Sequence, residues 1–186
     1  MSRRNWLLAA FVLIAAAQLA APAWMIFSRE RTLHAGKVFK FRTRPIDPVD
    51  AFRGHYVWLN LEPNEIKVAD SYVWHGGQKA FAVLDIDTNG FAIVKRLEHA
   101  MPADEPAVAV ETGWAYKGKM HIQWSGLDRY YMAEEKAPAA ERAYREHSRA
   151  TNHTCHVTVR VNGPQAALEE LFIENQPVRE WLRQHK

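Results

Sequence analysis

Three potential metal ligands stand together in His153-Thr154-Cys155-His156, and imidazole with thiolate is a donor set that suits zinc. A strand through this run puts His153 and Cys155 on one side and His156 on the other. A further ligand such as His121 would have to come from elsewhere, so the expectation is no metal: solvent-facing histidines beside a small buried cysteine. Asp47, Asp50 and Arg53 form a second cluster. Paired carboxylates do acid–base work when their environments push their pKa values apart, but between Pro45, Pro48 and Gly54 they read as caps for backbone donors in a turn. Trp114, Trp124, Tyr130 and Tyr131 make a third group, a stacking surface for a glycan if exposed and core packing if buried. No Walker loop, dinucleotide fingerprint, serine elbow or zincin helix occurs, so no cofactor is expected.

The elements that would position these groups are mostly strands. Residues 38–42 alternate imperfectly, and residues 45–54 hold prolines and a glycine that break both helix and central strand. Tyr56, Val57, Trp58 and Leu59 read as the next strand, and residues 68–73 as another, closed by His75-Gly76-Gly77. Asp87-Thr88-Asn89-Gly90 between residues 80–86 and 91–97 is a strong hairpin signal, because Asn-Gly accepts positive φ. Lys117-Gly118-Lys119 joins residues 108–116 to 120–124 in a second hairpin. Residues 137–150 break the pattern with helix formers after Pro138. Cys155, Val157, Val159 and Val161 then alternate with polar residues as a half-buried strand, which Asn162-Gly163 turns into a partner over 166–173. Pro177 precedes a short terminal helix. The fold class is therefore mainly β, an antiparallel sandwich or partly open barrel, with one inserted helix.

The first residues are of another kind. Ser2-Arg3-Arg4-Asn5 precedes an apolar stretch over residues 6–27, interrupted only by Gln18 and Pro22. About twenty such residues cross a bilayer, with Trp6 and Trp24 at the two interfaces. Ala21-Pro22-Ala23 offers the alternative of a cleaved signal peptide, though apolarity continues past it. The organisation expected is a cytoplasmic tail over 1–5, an anchor or signal segment over 6–27, a linker over 28–36 and a β-rich domain over 37–186. Arg3 and Arg4 favour an inside N-terminus, while Arg29, Arg31, Lys37, Lys40 and Arg42 oppose export; the expectation is an exported, periplasmic domain on the inner membrane. Of 186 residues 48% are hydrophobic, seven are tryptophan, and the net charge is +3 without a long basic run. That excludes a disordered chain and argues against nucleic acid as a partner. One cysteine excludes a disulfide scaffold.

Gly54-His55-Tyr56-Val57-Trp58-Leu59-Asn60-Leu61 resembles the signature of the GDYXXLXY family of membrane-associated bacterial proteins. Gly54, Tyr56 and Leu59 match, His55 replaces the Asp and Leu61 the final Tyr. Gly126-Leu127-Asp128-Arg129-Tyr130-Tyr131-Met132-Ala133-Glu134 is similar to a second recurring segment, and Leu171-Phe172-Ile173-Glu174-Asn175 to the last strand and turn. The resemblance implies motif or structural roles for Asp47, Pro48, Arg53, Gly54, His55, Tyr56 and Leu59; Arg129, Tyr130 and Tyr131 in the second segment are candidate binding residues. It implies no settled activity, a domain outside the cytoplasmic membrane, and an envelope or integral membrane protein as partner. His55 can replace a carboxylate only as a neutral acceptor or through a different partner. Residues 53–57, followed by Ile93-Val94-Lys95-Arg96-Leu97, are also similar to two boxes of signal-peptidase-like serine proteases. That likeness implies Lys95 as general base, with Thr43 where those enzymes carry serine. Three readings follow: a non-enzymatic anchored protein that binds a membrane-protein partner, a degenerate Ser/Thr-Lys hydrolase, or a glycan-binding module.

Overall fold

The computed structural model describes residues 3–44, 56–68, 74–149 and 154–185. Helix α1 (Arg3–Ala35) leads into β1 (Lys37–Arg44), then β2 (Tyr56–Trp58), β3 (Asn60–Leu61), β4 (Glu65–Lys67), β5 (Lys79–Ile86), β6 (Ala92–Glu98), β7 (Ala107–Tyr116), β8 (Lys119–Gln123) and β9 (Arg129–Tyr131). Helix α2 (Ala137–Arg149), β10 (Cys155–Asn162), β11 (Gln165–Ile173), β12 (Gln176–Pro177) and α3 (Val178–Gln184) complete the chain. One antiparallel sheet runs β12-β11-β10-β1-β3 and a second β4-β8-β7-β5-β6, with β2 and β9 paired as a separate ribbon.

The two sheets curl into a nearly closed barrel, because β1 meets one edge of the second sheet and leads through β3 to the other. Lys40 bridges to Phe91 at the start of β6, and Thr43 pairs with Leu61 on β3, which turns within three residues into β4. Phe39, Phe41 and Thr43 point inward from β1, and Phe41 meets Trp124 edge-on at 5.1 Å between ring centroids. The hairpin turns sit where the glycines require them: Gly90, Gly118 and Gly163 take φ of 82°, 73° and 57°. Asp87 closes the first hairpin by accepting the backbone N–H groups of Asn89 and Phe91 at 2.9 and 2.8 Å, while Arg42 from β1 donates to its other oxygen at 2.7 Å. These bonds, that of Phe91 foremost, hold its carboxyl below the usual range.

Three expectations need correction. The strand beginning at Tyr56 breaks at Leu59, whose N–H leaves the ladder to donate to the Asp128 carbonyl at 2.8 Å, so that β2 and β3 enter different sheets. The strand expected over 68–73 lies, from residue 69 on, outside the described residues, and β4 stands just before it. β10 is covered on both faces rather than half-buried, since His156 and Thr158 are 7% and 8% exposed. The expected linker is helical as far as Ala35. Its last turns pack on the barrel: the Ser28 hydroxyl donates to Gln165 Oε1 at 2.8 Å, and Thr32 Oγ1, buried, lies 3.0 Å from the Ser28 carbonyl and 3.1 Å from the same Gln165 oxygen. Gly36 ends the helix by donating to the Thr32 carbonyl at 2.9 Å.

Upstream of that joint the large apolar side chains of α1 are exposed. The helix is long and apolar enough to cross a membrane. Trp6, Phe11, Leu13, Leu19, Trp24 and Phe27 are all more than 60% exposed. A soluble helix shows an apolar stripe and a polar face; this one is apolar all round.

Candidate functional site

The ribbon brings together the two segments that carry the family resemblance. Tyr56 faces Tyr131, Val57 faces Tyr130 and Trp58 faces Arg129 across β2 and β9. Alternation then sorts the side chains. Val57 and Tyr130 turn into the core, and the Tyr130 hydroxyl donates to the Glu170 carboxylate on β11. Burial first, then that carboxylate, pushes the Tyr130 phenol well above its usual range, so it stays a neutral donor. On the outer face the Arg129 guanidinium lies 5.4 Å from the Tyr56 ring centroid and 5.2 Å from that of Trp58. Tyr131 packs edge-on to Tyr56 at 5.7 Å, and Asp128 pairs with Arg129 at 3.3 Å. The bond with Tyr131, then the Asp128 charge, raises the Arg129 pKa.

Beside the ribbon, β3 and β8 wall a cleft of about 490 Å³. Trp58, Leu59, Leu61, Ile122 and Trp124 supply its apolar surface; Asn60, Asn64, His121, Gln123, Ser125 and Asp128 supply polar groups. Trp124 is fixed by donating its indole N–H to the Pro63 carbonyl at 3.0 Å. Asn64 donates to Asn60 Oδ1 at 3.4 Å, a long bond, while the side chains of Gln123 and Ser125 bond no other group among the described residues. His121 stacks on Trp114 at 5.7 Å, and its Nδ1 is buried without a partner. That atom faces the β-bulge where Gly113 leaves room for it, since a Cβ there would stand 3.0 Å away.

The residues singled out from sequence fall as follows. Asp47, Pro48, Arg53, Gly54 and His55 lie outside the described residues, as do Asp50 and His153. Tyr56, Arg129 and Tyr131 share the outer face of the ribbon, whereas Leu59 and Tyr130 are core. Thr43 and Lys95 are not brought into one site. The Thr43 hydroxyl is buried and donates to the Cys155 carbonyl at 3.2 Å, while the Lys95 amine reaches Glu105 at 3.5 Å on an exposed face. Cys155 is buried, as expected, and burial pushes its thiol up to about 12. His156 is not solvent-facing: it lies parallel to Phe172 at 4.7 Å with Phe91 edge-on at 5.8 Å. Among the described residues no group of three or more His, Cys, Asp or Glu is placed to hold a metal. Of the aromatics weighed as a binding surface, Trp124 and Tyr130 are buried, and Trp114 and Tyr131 are each 59% exposed.

Sequence reasoning missed Trp58, Asn60, Asn64, Gln123 and Ser125. The signal lay in the alternation of residues 57–61: Val57, Leu59 and Leu61 are buried, and the Trp58 and Asn60 between them line the cleft.

No curated protein and no solved structure matches the chain. A family model described as GDYXXLXY protein matches residues 18–171, a span that takes in the end of the apolar helix, the ribbon, the cleft and most of β11. The chain belongs to the GDYXXLXY family.

Proposed function

We propose that this is a single-span, membrane-anchored protein of the bacterial envelope, whose β-rich domain is held at the bilayer surface to engage a membrane-protein partner. The observation that carries this reading is the joint between α1 and the barrel. Residues 6–27, at about 1.5 Å each, give about 33 Å of apolar helix, which matches a hydrocarbon core of about 30 Å. The next two turns are not a flexible tether: Ser28 and Thr32 are bonded to Gln165, and the chain enters β1 directly after Gly36. A domain fixed to its anchor in this way works on something in the plane of the membrane.

A groove of about 620 Å³ runs between helix and barrel at that level, lined by Trp24, Met25 and Arg29 from α1 and by Ala109 and Gln165 from the sheets. It is the face a neighbouring membrane protein would meet first. Arg3 and Arg4, ahead of the span, favour a cytoplasmic N-terminus and a periplasmic domain.

Photo-crosslinking from Ile26 and Ala109, two groove positions, in intact membranes tests the reading. The expected result is a stoichiometric crosslink to an integral membrane protein, with the chain retained in the membrane after alkaline extraction and a C-terminal reporter active only in the periplasm. Release by alkali, or a reporter active in the cytoplasm, overturns it.

A further inference from the structure

We infer that the cleft beside the ribbon is a binding site for a neutral saccharide. Its chemistry argues against anions and extended peptides in turn. The charged side chain in its lining is the carboxylate of Asp128, which disfavours phosphates and other anions, and that charge already faces Arg129. An extended peptide would bind by pairing along a strand edge. Here β8 pairs with β4 on one side and β7 on the other, and β3, whose outer edge is unpaired, is two residues long, too short to hold a peptide strand. What the cleft presents instead is an indole wall at Trp58, two side-chain amides at Asn60 and Asn64, a third at Gln123 and the hydroxyl of Ser125.

Planar amides and a carboxylate around an aromatic face match a sugar ring, whose C–H face stacks on the indole while its hydroxyls exchange hydrogen bonds with groups that both donate and accept. The volume lies within the range of about 300–1,000 Å³ of small-molecule sites. Ser125 lines both this cleft and the groove beside α1, so the saccharide would sit at the membrane-proximal side of the barrel. The same chemistry serves a soluble oligosaccharide or the sugar head of a glycolipid.

The test uses the full chain in lipid nanodiscs, free of sugar-headed detergent, titrated calorimetrically with glucose and N-acetylglucosamine oligomers of two to four units. Saturable binding of at least one is expected. Trp58→Ala should weaken it at least tenfold, and Gln123→Ala and Asn64→Ala each by about two- to tenfold, the worth of one hydrogen bond. Gln123 is exposed, so its truncation leaves the fold intact and keeps the test valid if Trp58→Ala misfolds. An alkyl glycoside embedded in the nanodisc separates the sources: tighter binding than the free sugar assigns the membrane, equal binding a soluble glycan, and both uphold the site. No saturable binding up to about 10 mM, equal binding by wild type and all three variants, or tighter binding of an uncharged pentapeptide than of any sugar overturns the proposal. The readout needs neither a partner nor an orientation, so it fails or holds separately from the membrane-protein reading.

Discussion

Gly36→Ala perturbs the joint between anchor and barrel at one atom. A Cβ at position 36 would stand 2.5 Å from the Thr32 carbonyl oxygen and 3.0 Å from the Val161 nitrogen, both backbone. Neither can rotate away, so the last turn of the helix, which carries the Thr32 carbonyl, must move from residue 36 and the strand it enters by at least about 0.5 Å to reach even a 3.0 Å contact. Across a helix radius of about 5 Å that is a tilt of about 6°, which over the thirty residues back to Trp6, about 45 Å, displaces the far end by about 4–5 Å. The overpacking costs about 1–3 kcal/mol, a fall in Tm of roughly 3–12 °C for a domain of this size. Spin labels at Leu8 on α1 and Tyr116 on β7, both exposed, read the tilt by pulsed electron resonance. Gly118→Ala is the control. Its φ is 73° and a Cβ there meets nothing within 4 Å, so it costs roughly 1–2 kcal/mol of backbone strain without moving the helix. If Gly36→Ala leaves the distance distribution unchanged while lowering Tm like the control, the helix is tethered rather than fixed, and the argument that the domain works in the plane of the membrane loses its basis.

Three further outcomes follow from the interior. With its thiol pushed up to about 12 from the usual 9.0 by burial, Cys155 should react with a disulfide reagent at pH 8 about a thousandfold more slowly than in denatured protein; a rate within tenfold of the denatured value would show the β10 end to be open. Burial, then Lys40, lowers the pKa of His156 between Phe91 and Phe172. The unfolded chain therefore takes up that proton first: stability is full above about pH 6.5 and is lost as the pH falls. His156→Phe should flatten this part of the profile, and an unchanged slope between pH 6.5 and 5 would refute the assignment. Phe41→Ala, at 0% exposure against Trp124, should cost about 3–5 kcal/mol in urea unfolding, whereas Tyr116→Ala at 60% exposure should stay within about 0.5.

The hairpins were legible because their turns carry their own chemistry. Asn89-Gly90 and Asn162-Gly163 supply positive φ where the ladder needs it, and Asp87 closes its turn with its own carboxylate. Barrel closure was not legible, because it depends on β1 meeting Phe91 and Leu61 from distant parts of the chain. The same holds for the reading of residues 28–36 as a linker. Ser28 and Thr32 are spaced one helical turn apart, but their partner, Gln165, stands more than 130 residues away. His156 misled for a related reason. Alternation predicts which face a residue takes, not whether the other face is covered, and here Phe91 and Phe172 cover it.

The family signature gains a physical meaning from this geometry. Of its letters, the Leu and the final position, here Leu59 and Leu61, are 2% exposed and fix where β2 parts from β3. The positions it leaves open include Trp58 and Asn60, which face the cleft. A substitution of Tyr by Leu at 61 is then a change of core packing, absorbed among apolar neighbours, and takes nothing from the chemistry of the cleft. The frame and the contacts are carried by alternate residues of one short run, so the contacts can vary while the frame stays. A chain with the same buried letters and different residues at 58 and 60 should therefore keep the fold and change the ligand. Exchanging those two side chains alone, Trp58→Tyr with Asn60→Ser, should alter which sugar binds while moving the urea midpoint little. A loss of the fold on that double exchange would show that the two positions serve the core after all.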